Sequence, residues 1–484
     1  MAVSRKKRSL STFAILLAVL LLVAVATWLA DGQSYTDPDT GEKAEVSGAA
    51  LSDIIMAPIA GWHDAGDVIG FVFCLGAFLA IINETGALEA GVKVLVKKLR
   101  GREIVLVWVL MFVFSVGGTT YGMGEETVGF YILLAATMLT AGFDPIVGAA
   151  TVLLGAGCGV LGSTINPFAT GAAMAAAADA GVSVNMGIVY AEAVILWLAT
   201  YFISALFVTR YAKRVRAGGG SILTGEQLGV CRTAYGASSG AEEYVRLTVP
   251  QKRVLWLFAL SFVVMILGFI PWGSLSEGMY DSLGWSAFFS GSRLGDWWFD
   301  DAASWFLIMG IIIGVVGLKD RGRIIPCIIS GFGDMIAVNL VIALARAATV
   351  IMNTTGLGTW IVEASVSALS ASGLPAALFG ALDYLLHIAL SFLVPSSSGL
   401  ASLSAPIVSP IVAGLGWSVE TSIMINVAAN GFVNLFTPTC GFIMGGLALA
   451  RIPYESWLKW AGRLLAILGL TVGVILSFAM LILS

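Results

Sequence analysis

Between Ile104 and Phe143 the chain runs for forty residues with only two charged side chains, the adjacent Glu125 and Glu126. A stretch this apolar belongs in lipid, where every backbone N–H and C=O needs an internal partner and irregular backbone survives only around a cavity. The rest of the chain agrees. Of its 484 residues 58% are hydrophobic and 12% charged, with a mean hydropathy of +0.93. A soluble domain carries about 25% charge. The predicted fold class is therefore an all-α polytopic membrane protein. Its 57 glycines point to close helix crossings and interrupted helices. A net charge of -4 gives no footprint for nucleic acid. The scattered Cys74, Cys158, Cys231, Cys327 and Cys440 show no CxxC, so neither a disulfide framework nor a zinc site is predicted. No cofactor is implied.

Charge orients the spans. Arg5, Lys6, Lys7 and Arg8 place the N-terminus inside, and an apolar run over Ser11–Ala30, longer than a signal-peptide core, is predicted as a retained first span. Asp31–Trp62, with six acids and only Lys43, lies outside. A span over Val68–Leu88 returns to Lys93, Lys97, Lys98, Arg100 and Arg102. Ile188–Thr209 comes back to Arg210, Lys213, Arg214 and Arg216, which open a basic linker over 210–253. Val254–Trp272 goes out and Ala303–Leu318 returns to KDRGR. Spans through Ile342–Met352 and Ile423–Ala450, and a last one over Leu464–Ile482, complete a pattern with every basic cluster on one side.

Three weak repeats recur in order. Asn83-Glu-Thr-Gly86 resembles Asn353-Thr-Thr-Gly356, Thr119-Thr-Tyr-Gly122 resembles Ser396-Ser-Ser-Gly399, and Gly157, Leu161 and Ser163 match Gly431, Leu435 and Thr437. The topology puts matching ends on opposite faces, so two inverted-topology repeats are predicted, the signature of secondary transporters with sites at interrupted helices. The division is 1–65, a first span and external loop; 66–209, repeat 1; 210–253, linker; 254–323, two scaffold spans; 324–484, repeat 2 and the last span.

Ile104–Val116 and Thr127–Leu139 are 13 residues each, about 20 Å of helix against a core of about 30 Å. A re-entrant helical hairpin over 104–143 is predicted, its tip GGTTYGMGEE, with an inverted partner over 376–415 whose tip is LVPSSSGLASLS. The competing reading is two ordinary spans joined by an exposed turn. After each hairpin comes a broken transmembrane helix, over 146–180 and 422–450. Pro167 and Pro438 free backbone carbonyls there. With Ser163, Thr164, Asn166, Thr437 and Thr439 these can hold a sodium ion or a substrate, while helix N-termini at the breaks suit a carboxylate. The bland alternative is a Pro-kinked structural helix.

The tip GGTTYGMGEET, the GSTINPF break, ALARAATVIMNTTG, VPSSSGLASLSAPIVSPI and TPTCGFIMGGLALARIPY resemble the YfcC family, in the DcuC-like anaerobic carrier group of the ion transporter superfamily. The resemblance covers nearly the whole chain. It implies inverted repeats, elevator-like alternating access and a homodimer. YfcC members are described as basic amino acid antiporters, whereas neighbouring families carry four-carbon dicarboxylates, short-chain fatty acids or aminobenzoyl-glutamate. In sodium-coupled dicarboxylate relatives the tips read Ser-Asn-Thr; here they read Thr119-Thr120-Tyr121 and Ser396-Ser397-Ser398.

Glu125 and Glu126 are the sharpest site candidates, because an acid at the bilayer centre costs about 2.5–3.5 kcal/mol unless it faces a cavity, a cation or a proton. They are read as contacts for a substrate's cationic group; the alternative is a solvated turn. Arg346 is read either as a substrate-carboxylate contact or as a partner of Asp334. Asp383 and His387, four apart, share a helix face and could relay a proton, though a structural hydrogen bond is the favoured reading. His63 is read as incidental, and Asn83 and Asn353 as caps or packing residues. GCGVLG at 157–162 and GFGD at 331–334 are chance matches to nucleotide-loop and intramembrane-protease motifs. The predicted function is a secondary active transporter of the bacterial plasma membrane, driven by H+, Na+ or exchange. A basic amino acid is the first substrate and a dicarboxylate or short-chain carboxylate the second.

Overall fold

Nine helices among the described residues are long and apolar enough to cross a membrane. The structure, a computed structural model, describes residues 12–37, 40–88, 90–91, 94, 102–234, 246–371 and 373–484. The basic clusters expected at 5–8 and 93–100 lie outside the described residues, apart from position 94.

Helix α1 (Thr12–Leu29) leads to a two-stranded ribbon, β1 (Ser34–Thr36) paired antiparallel with β2 (Lys43–Glu45). Helices α2 (Leu51–Asp64) and α3 (Gly66–Glu84) follow, with Ala65 between them. Next come α4 (Glu103–Tyr121), a 3-10 turn (Glu125–Thr127), α5 (Val128–Thr140), α6 (Pro145–Leu161), a π-helical turn (Pro167–Gly171), α7 (Ala172–Asp179), α8 (Met186–Arg216) and α9 (Gly225–Ala234). Helices α10 (Val249–Phe269) and α11 (Phe299–Gly317) flank a loop with three short helical turns. The chain ends with α12 (Ile324–Thr354), α13 (Leu357–Ala371), α14 (Ala376–Leu393), α15 (Ser397–Gly414), α16 (Val419–Val433), α17 (Gly441–Leu449) and α18 (Tyr454–Leu483).

Helix α12 is the post of one group. Its first turn meets the end of α3 through Arg323 and Glu84, 2.8 Å apart. The residue after its far end, Thr355, accepts from Ser47 N at 3.0 Å, so α12 runs antiparallel to α2 and α3 along its whole length. Helices α1, α2 and α3 pack on α12, and α10 and α11 close the group through α3. Gly76 and Gly331 make the α3–α12 crossing possible, since a Cβ on either would lie 2.6 Å or less from the other helix's backbone. The equivalent ends predicted at Asn83 and Asn353 are the same local motif. In each, a glycine with positive φ (Gly86, 65°; Gly356, 73°) terminates the helix and donates to the Asn carbonyl, on opposite faces of the protein. Both Asn side chains are exposed, and the bond that closes each helix end uses only the Asn backbone carbonyl.

In the second group, α4 and α5 lie against α6, and α14 and α15 against α16. Helix α8 packs on α6 as α18 packs on α16, and each hairpin's second arm meets the far half of the other broken helix: α5 with α17, α15 with α7. Where α6 crosses α16, a Cβ on Gly157 would lie 2.2 Å from Leu435 Cδ2 and a Cβ on Gly431 2.4 Å from Leu161 Cα. The sequence had matched Gly157 with Gly431 and Leu161 with Leu435. Matched residues thus exchange partners across the crossing, the pattern of a two-fold contact.

The hairpin differs from expectation in arm length. Helix α4 is 19 residues, about 28 Å, so it is long enough to cross, and the argument from short arms fails for it. Gly117–Tyr121 continue the helix because Gly118 and Gly159 let α4 and α6 touch: a Cβ on Gly159 would lie 2.1 Å from Ser115 O. The tip proper shrinks to Gly122–Thr127. The span expected at Ile342–Met352 is likewise only the second part of α12.

Candidate functional site

The first tip is shaped by glycine and by its own acids. Gly122, at φ 82°, stops α4 in the left-handed conformation. Gly124 N donates to Glu126 Oε2 at 2.9 Å and Thr127 Oγ1 to Gly124 O at 2.5 Å, which folds the 3-10 turn. Glu126 is buried and spent on this bond, whereas Glu125 is half-buried. The tip rests on the break after α6. Thr119 Oγ1 donates to Gly162 O at 2.6 Å, Thr164 N donates to Thr119 O at 2.8 Å, and a Cβ on Gly122 would lie 2.8 Å from Asn166 Nδ2.

At that break Asn166 accepts from Phe168 N and donates to Ser163 Oγ, both at 2.9 Å, and Ser163 Oγ donates to Val160 O at 2.7 Å. Thr119, Ser163 and Asn166 are therefore buried and satisfied within the fold. Thr120 and Thr164 keep partial exposure.

The second tip is built on the same plan with neutral groups. Ser396 caps α15, accepting from Gly399 N at 3.2 Å, and Ser397 Oγ donates to Asn430 Oδ1 at 2.9 Å. Asn430 Nδ2 lies 3.3 Å from both Val394 O and Pro395 O, and Asn434 Nδ2 donates to Pro395 O at 3.1 Å. Thr437 and Thr439 pair at 2.7 Å, and Thr439 reaches Phe392 O at 3.5 Å. Ser396, Ser397 and Ser398 are half-buried, while Thr437 and Thr439 are buried. Asn430 and Asn434 were missed at the sequence level. With Asn426, which donates to Ser404, they recur every four residues on one face of α16 and its end, a signal that was available.

The two tips approach the opposite repeat's break. Gly124 packs against Phe442 at the start of α17, a Cβ there falling 3.0 Å from Cδ1. Tyr121 stacks on Phe269 with ring centroids 5.6 Å apart, and Phe168 lies 4.6 Å from Trp298 and 5.7 Å from Phe299. Phe269 and Phe299 are the acidic-face ends of α10 and α11, so the first tip stands beyond the middle of those helices rather than at their midpoint.

The charges facing this tip come from the α12 group. Arg346 pairs with Asp64 at 3.6 Å, not with Asp334, which is twelve residues away on a continuous helix, about 18 Å along its axis. Asp67 accepts from Trp298 Nε1 at 2.6 Å. The 3-10 turn that carries Glu125 packs on α3, whose first turn carries Asp67. Asp64 is exposed, and Arg346, Asp67 and Glu125 are half-buried. His63 is exposed in the last turn of α2. Among the described residues no group of three or more His, Cys, Asp or Glu could hold a metal. A groove of about 640 Å³ between α14 and α18 lies away from this chemistry and is lined by side chains such as Leu385 and Val474.

The sequence signature described as "C4-dicarboxylate anaerobic carrier", DcuC, matches residues 10–482. The chain belongs to the DcuC family. It is a multi-pass membrane transporter, not an enzyme. An uncharacterized protein of Haemophilus influenzae is 30% identical over 91% of this chain and 80% of its own length. The protein named "Putative basic amino acid antiporter YfcC" in Escherichia coli K12 is 25% identical over 97% of this chain and 96% of its own. Among solved structures, the YdaH transporter of Alcanivorax borkumensis aligns at TM-score 0.48 and 18% identity over 97% of this chain and 98% of that one. MtrF of Neisseria gonorrhoeae aligns at 0.48 and 14% over 99% and 96%.

Proposed function

We propose that this DcuC-family transporter is a secondary carrier for a small cationic amino acid, working by exchange, with the cleft between Glu125 and Arg346 as its binding site. The observation that carries this reading is the charge balance. Asp64, Asp67 and Glu125 stand on the side of the first tip against one guanidinium, itself paired with Asp64. Such a cleft favours a cationic side chain, which Glu125 receives. Arg346 and the half-exposed hydroxyls of Thr120, Thr164, Ser396, Ser397 and Ser398 take the α-carboxylate. The buried Glu126, Ser163, Asn166, Thr437 and Thr439 hold the tips and breaks in shape, as Thr119 does.

Within the two inverted repeats, α4–α8 and α14–α18 form the moving body, and the α12 group, which includes α3 and α12 from the start of each repeat, is the scaffold it slides against. The contact between them includes rings and a glycine, Tyr121 on Phe269, Phe168 on Phe299 and Gly445 on Val338, with no ion pair across it among the described residues. With the first tip level with the acidic-face ends of α10 and α11, the body is in its raised position. The membrane is the bacterial plasma membrane, with the basic face and the N-terminus cytoplasmic and two chains forming the unit.

The family's description favours a second reading, an ion-coupled carrier of dicarboxylates or short-chain carboxylates, in which Arg346 and the serines hold a carboxylate and sodium sits at the tips. Counterflow decides. Proteoliposomes loaded with unlabelled arginine, ornithine or succinate are offered the matching labelled compound, with and without sodium. Sodium-independent arginine or ornithine exchange supports the first reading. Sodium-dependent succinate uptake with no amino acid exchange overturns it.

A further inference from the structure

The mechanism above leaves one buried ionisable pair unused. Asp383 and His387, on successive turns of α14, are 0% and 1% exposed. His387 Nδ1 lies 3.0 Å from Asp383 Oδ1 and 3.0 Å from the Asp383 carbonyl. Beyond that contact the pair is poorly provided for. Neither carboxylate oxygen has a well-aligned donor, and His387 Nε2 and the neighbouring Tyr384 hydroxyl have no partner. A buried pair kept only for stability has its remaining lone pairs and protons satisfied, because removing two ionisable groups from water otherwise costs more than their attraction returns.

Among the described residues, the helices packed on α14 bring no other charge beside the pair. Of the helices packed on α14, α13 carries only Glu363, bonded to Thr36 on the ribbon, and α16 only Glu420, in its first turn. Helix α18 carries Tyr454, Glu455, Lys459 and Arg463, all within its first ten residues, whereas α14 meets it near Gly473 and Met480. Tyr384, on α14 itself, is the one further titratable group beside the pair.

We propose that Asp383 and His387 are the transporter's proton site, coupling proton movement to the substrate cycle; this rests on the transport reading above. With a proton on Nε2 the imidazolium and the Asp383 carboxylate form a neutral pair that burial tolerates. When that proton leaves, Nδ1–H turns to the Asp383 carbonyl and an uncompensated carboxylate remains among apolar helices. That state is affordable only when the arm is hydrated, so proton release is tied to a change of conformation. The link to substrate is short. Val394, where the second tip begins, is seven residues beyond His387 on the same arm, about 10 Å along the helix.

The chain has two histidines, His63 and His387, so 15N-histidine NMR of the His63→Gln protein in lipid nanodiscs isolates the site. The expected result is a His387 signal whose protonation changes between about pH 5 and about pH 9, and whose profile moves in Asp383→Asn. A signal fixed in one state across that range overturns the proposal whatever transport assays give. In proteoliposomes, Asp383→Asn and His387→Gln should keep counterflow within about twofold while losing about tenfold or more of accumulation driven by a pH gradient. Counterflow in the wild type without any response to that gradient also overturns the proposal, and leaves the exchange reading standing. Absence of counterflow for every substrate counts against the exchange reading alone, since the NMR result stands without it.

Discussion

The first tip turns through Gly122 and a short turn that carries Glu125 and Glu126; the second turns through Pro395 and three serines. Each rests on the broken helix that follows it, through Thr119 on Gly162 in one case and Ser397 on Asn430 in the other. The same backbone plan is thus fitted with acids on one side and neutral hydroxyls and amides on the other. A site assembled from two related halves need not be symmetric in charge. The difference gives a ligand two unlike ends to satisfy, as an amino acid does and a symmetric dicarboxylate does not.

The comparison breaks most easily at Glu125. Glu125→Gln should lower arginine or ornithine exchange by about 10- to 100-fold, since a hydrogen bond to a charged group is worth about 1.5–3 kcal/mol. Ser396→Ala should lower it much less. Equal losses in the two variants would remove the asymmetry argued here.

A second test compares matched glycines. Gly431→Ala drives a Cβ to 2.4 Å from the Leu161 backbone, whereas Gly157→Ala meets only the end of the Leu435 side chain. The first should destabilise by about 1–3 kcal/mol, visible as a lower Tm in detergent, and the second by less. Comparable melting curves would mean that the crossing yields equally on both sides.

Ser397→Ala removes one neutral bond and leaves Asn430 Oδ1 still accepting from Asn434 at 2.9 Å. A weakening of about fivefold in substrate affinity follows from about 1 kcal/mol. A loss as large as that of Glu125→Gln would show the serine to be a primary ligand.

The smallest effect lies at the bases of the hairpins. Asp144 caps α6 and Ser418 caps α16, accepting from Val147 N at 3.2 Å and Thr421 N at 3.1 Å. Asp144 also accepts from Tyr211 and from Ser221. Burial pushes its carboxyl above the ordinary range, against the lowering effect of these donors. The folded protein therefore keeps this proton to higher pH than the unfolded chain. The resulting stabilisation is complete below the unfolded value of about 4 and is lost as pH rises through the folded one. Asp144→Asn should flatten the dependence of Tm on pH above about pH 4, and Ser418→Ala should leave its slope unchanged. An unaltered slope in Asp144→Asn would relieve Asp144 of that role.

Much of this architecture could be read from residue order. The membrane class followed from hydropathy, the helix ends at Gly86 and Gly356 from the repeated Asn-x-Thr-Gly, and the equivalence of Gly157 with Gly431 and of Leu161 with Leu435 from their spacing, though not that each glycine meets the other's leucine. Other features depended on distant partners. The length of α4 was misjudged because Gly117 and Gly118, helix breakers in isolation, are held helical by Gly159 on another element. The partner of Arg346 could not be found on its own helix because it sits at the end of α2, 282 positions earlier by residue number (346 − 64). Asn426, Asn430 and Asn434 carry their signal in a spacing of four, which the helix breaker Pro438 beyond α16 outweighs as a marker of the break.

Where α6 meets α16, each glycine is pressed against a leucine of the other helix with no space left between them. Surfaces that interlock this closely do not slide past one another, because sliding would have to open voids that a dense interior resists. The crossing therefore binds the two broken helices into one unit, and each hairpin is tied to that unit through its own tip, Thr119 on Gly162 and Ser397 on Asn430.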